Sequence, residues 1–163
     1  MDMAINQILS AEVLLAQPRG FCAGVVRAID VVEQALELHG APVHVFHEIV
    51  HNGHVVKMLE RRGAIFVDAI GDIPRGAVTV FSAHGVSQRV VADAAARELK
   101  VIDATCPLVA KVHQQAQAYA ARGLTVIIIG HVGHDEVEGT LGSIDGPARV
   151  VSSVMDVHTL DIA

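Results

Sequence analysis

The chain has 163 residues, a formal net charge of −6 and an apolar share of 52%, with a mean hydropathy of +0.45. A chain of this length can bury about 70% of its unfolded surface, so it can form a core without staples. Aromatics are only 3%, which leaves that core to Ala, Val, Ile and Leu. No Lys/Arg block interleaved with aromatics is present, which speaks against a nucleic-acid surface. No apolar run reaches the roughly 20 residues that cross a bilayer. The N-terminus lacks the basic stretch, apolar centre and small-residue site of a secretory signal, so a cytoplasmic protein is expected. In that compartment Cys22 and Cys106 are expected as thiols or metal ligands rather than a disulfide.

In chain order, residues 1–12 carry no clear pattern and read as an N-terminal extension. Val13 to Ala16 reads as a short aliphatic strand, followed by the turn Pro18-Arg19-Gly20-Phe21-Cys22-Ala23-Gly24. Val25 to Leu38 has helical spacing, stopped by Gly40. Val43 to Ile49 reads as a strand whose alternation is diluted by His44 and His47. A helix is expected from about His54 to Arg62, then a strand over Ala64 to Val67 and a Pro/Gly turn over Asp72 to Gly76. Val78 to Ser82 is the next strand. Ser87 is an N-cap for a helix from Gln88 to Leu99. Val101 to Ala104 is a strand, and Pro107 occupies the first position of a helix running to about Arg122. Leu124 to Ile129 is the most strongly β-type run, and Arg149 to Ser152 is the last strand, with a short helix possible after it. Alternating strands and helices predict an α/β fold: an open, mostly parallel sheet with helices on both faces.

The reactive residues fall at the junctions of this pattern. Cys22, His51, His84, Cys106, His134 and Glu136 all follow β-type runs, and in such a sheet the carboxyl ends of the strands line the ligand crevice. A thiol at a helix N-terminus favours thiolate, the form that iron and zinc bind. A free Cys is otherwise a small buried hydrophobe, but two in equivalent strand-to-helix positions favour ligation. His51, His84 and His134, with helix N-termini, would form an anion cradle without any Lys. Glu136, two residues past His134, is placed for proton delivery. Glu138 competes for that role, and spacing does not rank the two. The bland reading of Gly130 to Gly139 is a glycine-rich turn whose acids begin a helix. His44, His54, His113 and His158 are expected at the solvent surface, and His39 complements a helix end. No GxxxxGK[ST] is present, and Gly20 and Gly24 only loosely resemble a dinucleotide loop.

Five segments in order carry a resemblance. Pro18-Arg19-Gly20-Phe21-Cys22-Ala23-Gly24-Val25, His47-Glu48-Ile49-Val50-His51-Asn52 and Phe81-Ser82-Ala83-His84-Gly85-Val86-Ser87 are the first three. Asp103-Ala104-Thr105-Cys106-Pro107-Leu108-Val109 and Gly130-His131-x-Gly133-His134-x-Glu136-Val137-Glu138-Gly139 complete the set. Together they resemble the LytB-type 4-hydroxy-3-methylbut-2-enyl diphosphate reductases, from Val13 to the end of the chain. The resemblance implies a three-lobed fold around a [4Fe-4S] cluster held by cysteines, with one iron open to the substrate's hydroxyl oxygen. It implies a diphosphate substrate, and a ferredoxin or flavodoxin as electron donor. Loss of water then yields isopentenyl or dimethylallyl diphosphate, the last step of the methylerythritol phosphate route. By motif position Cys22 and Cys106 match cluster ligands, His51, His84 and His134 the diphosphate contacts, and Glu136 the proton donor.

The family is about twice this length, and its third cluster cysteine comes later than this chain reaches. The resemblance therefore implies the first α/β lobe over residues 13–105 and an incomplete second lobe over 106–163. A fragment or truncated product is expected, impaired as an isolated chain. Asp135 stands where many relatives carry Pro. Two other classes compete. A metal-dependent phosphoester hydrolase would use the His-x-x-His region with a carboxylate. A non-catalytic diphosphate-binding module would use the three imidazoles alone.

Overall fold

The computed structural model describes residues 12–161, so all but the last residue of the expected extension 1–12 lies outside the described residues. Helix α1 (Ala23–His39) leads to strand β1 (Val43–Phe46), and α2 (Gly53–Arg61) leads to β2 (Ala64–Val67). A 3₁₀ turn (Ile70–Asp72) precedes β3 (Val78–Phe81), which is followed by α3 (Gln88–Ala96) and β4 (Lys100–Asp103). Then come α4 (Pro107–Ala120), β5 (Val126–Ile129), α5 (Asp135–Leu141), β6 (Ala148–Val151) and α6 (Val154–His158).

The first four strands form one parallel sheet in the order β2-β1-β3-β4. Val43 and Val45 of β1 with Val80 of β3 face α1 and α2, packing on Ala28, Val32, Ala35, Val55 and Leu59. The alternate residues Phe46 and Phe81 face the other way, onto Ile70, Ile73 and Ala94 of the 3₁₀ turn and α3. Both faces are thus covered, which explains why the strands read as continuous aliphatic runs rather than as alternation. Strands β5 and β6 form a second, two-stranded parallel sheet. α5 connects them, and α4 packs on α5 and β5.

The local signals behave as chemistry requires. The Asn52 side chain accepts hydrogen bonds from the N–H groups of His54 and Val55 and so starts α2 directly after His51. Ser87 caps α3 by accepting from Val90 N–H, and Pro107 opens α4. Three readings are corrected. The strand expected over Val13 to Ala16 is absent: these residues are in no regular element, and Val13 and Leu14 are 78% and 84% exposed. A strand needs a neighbour to bond to, and none of the described strands pairs with this segment. Strand β1 stops at Phe46, not Ile49, because His47 turns to a positive φ of 60°. His44 and His113 are not surface histidines. His44 is buried within β1, His113 is half-buried on α4, and His44 Nδ1 and His113 Nε2 lie inside without hydrogen-bond partners.

Candidate functional site

In the order β2-β1-β3-β4 the chain leaves β1 toward β2 but leaves β3 toward β4. The carboxyl ends of β1 and β3 are therefore the switch point at which open α/β sheets form their ligand crevice. His51 follows β1 and His84 follows β3. The ladder continues past the strands into this crevice: Ala83 N–H donates to Ile49 C=O (3.3 Å), and Cys106 N–H donates to Ala83 C=O (3.0 Å). The backbone thus ties the His51 loop, the His84 loop and Cys106 into one edge. α5 brings His134, Asp135 and Glu136 to the same edge from the second sheet. It seats on the β3–α3 loop by a Gln88 N–H to Gly142 C=O bond of 3.1 Å. Gly139 permits the approach, since a Cβ there would lie 3.1 Å from Gly85 O.

The three imidazoles are gathered. The rings of His51 and His84 stack with centroids 4.1 Å apart and planes 16° apart. The His134 ring meets that of His51 edge-on at 5.2 Å. His84 is buried, with Nδ1 3.4 Å from Ser82 Oγ. Its pKa falls below the ordinary 6.5, chiefly because burial penalises the charged ring and next because His51 is close; Glu136 and Asp135 oppose the fall. His134 is the N-cap of α5, and its Nδ1 accepts from Glu136 N–H at 3.3 Å. In the neutral ring the proton is therefore on Nε2, where it can be donated to a ligand.

His51, His84 and Asp135 each offer one donor atom, all within 4.8 Å of one another. A metal must lie in the plane of every imidazole it binds, along the nitrogen lone pair. No nearby point lies in both planes of a stacked, nearly parallel pair. The arrangement therefore disfavours one ion shared by His51 and His84. A stacked pair with a third ring beside it suits an anion with several oxygens instead.

The two acids separate. Glu138 is engaged, its Oε1 accepting from Gly133 N–H at 3.2 Å and closing the loop before α5. Glu136 shows no such bond and lies close enough to His84 to act on its charge.

Cys22 and Cys106 are the N-cap residues of α1 and α4, and neither sulfur is used in capping. A Cβ placed on Gly24 would sit 2.6 Å from Cys106 Sγ and 3.9 Å from Cys22 Sγ. Both sulfurs thus border one small volume that only a glycine leaves free. Arg27 of α1 ties the two helix starts together by donating to Thr105 C=O at 3.1 Å. Two soft sulfur donors on helix N-termini suit an iron–sulfur group.

Sequence reasoning did not single out His47, Ser82, Gly24 as a spacer, Arg27 or Asp135 as site residues. The positive φ of His47 carries only a weak signal: His is enriched among the few non-glycine residues that adopt it. Arg27 lies on the helix directly after Cys22, and its proximity to that motif was the available clue.

A profile of the family described as LytB protein matches residues 13–162. The chain is 59% identical over 151 residues to the 4-hydroxy-3-methylbut-2-enyl diphosphate reductase of Zymomonas mobilis, covering 93% of this chain and 44% of that protein. It is 60% identical over 153 residues to the enzyme of the same name from Bordetella pertussis, covering 94% and 47%. The solved structure of the E-1-hydroxy-2-methyl-but-2-enyl-4-diphosphate reductase from Plasmodium falciparum superposes with a TM-score of 0.87 at 44% identity, over 90% of this chain and 46% of that one. The chain spans about half the length of the relatives it matches. On sequence and on fold, the chain belongs to the LytB family.

Proposed function

We propose that this chain carries the diphosphate cradle and two of the cluster thiolates of a 4-hydroxy-3-methylbut-2-enyl diphosphate reductase. The observation that supports this most is the clustering of His51, His84 and His134 on an edge that Cys106 joins through Ala83. In this reading His134 donates from Nε2 to a phosphate oxygen, and the His51/His84 pair supplies two further N–H groups. The N-terminus of α5 adds a partial positive charge. Cys22 and Cys106 would hold an iron–sulfur cluster, with the room left by Gly24 accommodating the sulfurs. When bound, the cluster would relay the carrier's electrons one at a time and offer a Lewis-acidic iron for the substrate's hydroxyl oxygen.

The overall change consumes two electrons and two protons, breaks the allylic C–O bond and releases water with isopentenyl or dimethylallyl diphosphate. The electrons come from a one-electron carrier of the ferredoxin or flavodoxin class. Glu136 is the proton donor, because Glu138 is committed to Gly133. Asn52 and Ser87 hold the flanking helix starts, so the cradle is fixed by backbone and not by flexible side chains.

Two thiolates hold a cluster less firmly than three. Anaerobic reconstitution of this chain with iron and sulfide is expected to retain clearly less than one cluster per chain, with little turnover, and Cys22→Ser is expected to remove what is retained. A stoichiometric cluster with full reductase activity in this chain alone would contradict the reading, as would iron retention indifferent to both cysteines.

A further inference from the structure

The carboxylate of Asp135 lies between two imidazoles from different strands of the first sheet. Its Oδ1 is 3.3 Å from His47 Nδ1, at the end of β1. Its Oδ2 is 3.8 Å from His84 Nδ1, after β3. Asp135 itself is the first residue of α5, on the second sheet, between His134 and Glu136. One side chain therefore connects the ends of β1, β3 and α5, the three elements that bring His51, His84 and His134 together.

The backbone of His47 sets the direction of this connection. Its φ of 60° is unusual for a residue with a side chain, and such conformations persist where their surroundings fix them. Two contacts fix this one apart from Asp135. His47 N–H donates to Val67 C=O at 2.9 Å, and the Phe46 ring packs edge-on against the imidazole at 4.0 Å. The turned backbone aims Nδ1 at α5 instead of along the strand. Asp135 is only 24% exposed at its side chain and His84 7%, so when His84 is protonated the pair is screened less than a surface ion pair.

We infer that Asp135 is a positioning residue for the imidazole cluster: with His47 it latches the start of α5 to the first sheet, and it holds His84 by its Nδ1. The inference rests on the cradle reading for its consequence, since the latch sets where His134 and His84 present their remaining nitrogens. In this chain the latch works through the Asp135 carboxylate oxygens and not through the residue's place at the start of α5. The charged and titratable groups around His84 are His51 from the loop after β1 and His134, Asp135 and Glu136 from the start of α5. Only Asp135 faces Nδ1 within ion-pair reach.

The test is side-chain ¹⁵N NMR of the histidines in the 163-residue chain between pH 5 and 8, in the wild type, Asp135→Asn and Asp135→Glu. Removing the charge should lower the His84 titration midpoint further, with Glu136 left to oppose the fall. It should also change the His47 Nδ1 shift, while the His39 resonances stay put. Asp135→Glu should restore much of both. A His84 midpoint and a His47 shift that ignore Asp135→Asn would overturn the inference, as would an equal change in Asp135→Glu. Inorganic diphosphate added to the same samples separates the two claims. NMR changes without any diphosphate-induced shift in the wild type would count against the cradle while the latch stands.

Discussion

At the residue scale, burial sets the behaviour of the histidines. His84 and His113 both have pKa values lowered from the ordinary 6.5, with burial the leading cause in each. The unfolded chain therefore binds more protons than the folded one as the pH drops through that value, and stability falls with it. This contribution is intact above about pH 7. It is lost as the pH falls through 6.5 toward the depressed folded values. Urea melts at pH 7.5 and 5.5 should show a lower midpoint at 5.5, and His84→Gln should reduce the difference. An unchanged pH dependence in that variant would show that His84 is not the group responsible. Bound diphosphate acts in the opposite direction by favouring the charged rings, so binding near neutral pH should take up protons. Calorimetry in two buffers of different ionisation enthalpy measures this.

The two glutamates make a second residue-level contrast. Glu138→Gln weakens the acceptor for Gly133 N–H and should cost about 1 kcal/mol of stability. Glu136→Gln has no such bond to lose and should leave the thermal midpoint within error. If Glu136→Gln is the more destabilising, the division between structural and proton-donating acid is wrong.

At the element scale, the two sheets meet where α5 lies against the β3–α3 loop. Gly142 ends α5, and a Cβ there would overlap the Cβ of Ser87, the N-cap of α3. Gly142→Ala should therefore cost about 1–3 kcal/mol by forced displacement, visible as a lower unfolding midpoint and faster amide exchange at Gln88 and Val90. An alanine accepted without change would mean that α5 does not dock as described. Much of this level was legible in the sequence. The helix starts at Gln88 and Pro107 and the strand at Ala64 follow from local signals that the structure keeps. What was not legible depends on partners remote in sequence. Val13 to Ala16 has strand composition but no strand beside it. His44 and His113 have polar side chains, yet the packing around them, which no local pattern reports, covers them. The bridge from His47 to Asp135 joins segments that only the sheet order brings together, and the left-handed turn at His47 carries only the weak signal that His is among the residues enriched there.

At the scale of the whole molecule, the first sheet is covered on both faces and the second is not. Ile129 is 86% exposed, and Tyr119, Leu124 and Ile127 line an open apolar groove beside β5. A two-stranded sheet is marginal on its own, and apolar surface of this kind binds apolar dyes and promotes association. The chain should enhance the fluorescence of such a dye while folded, and Ile129→Thr should reduce the signal. No helix among the described residues is long and apolar enough to cross a membrane, so this surface is not a helical span.

The proposed function requires three imidazoles, brought together by the ends of β1, β3 and the start of α5, to grip a diphosphate. Calorimetric titration of the chain with inorganic diphosphate is the most direct measurement of it. His51 and His134 are exposed and can be replaced without opening the core. The prediction is one site per chain, weakened at least about tenfold by His51→Ala and by His134→Ala, each loss being worth about 1.4 kcal/mol or more, and unaffected by His54→Ala. Equal binding in all four proteins would contradict it, as would no binding by the wild type at millimolar diphosphate.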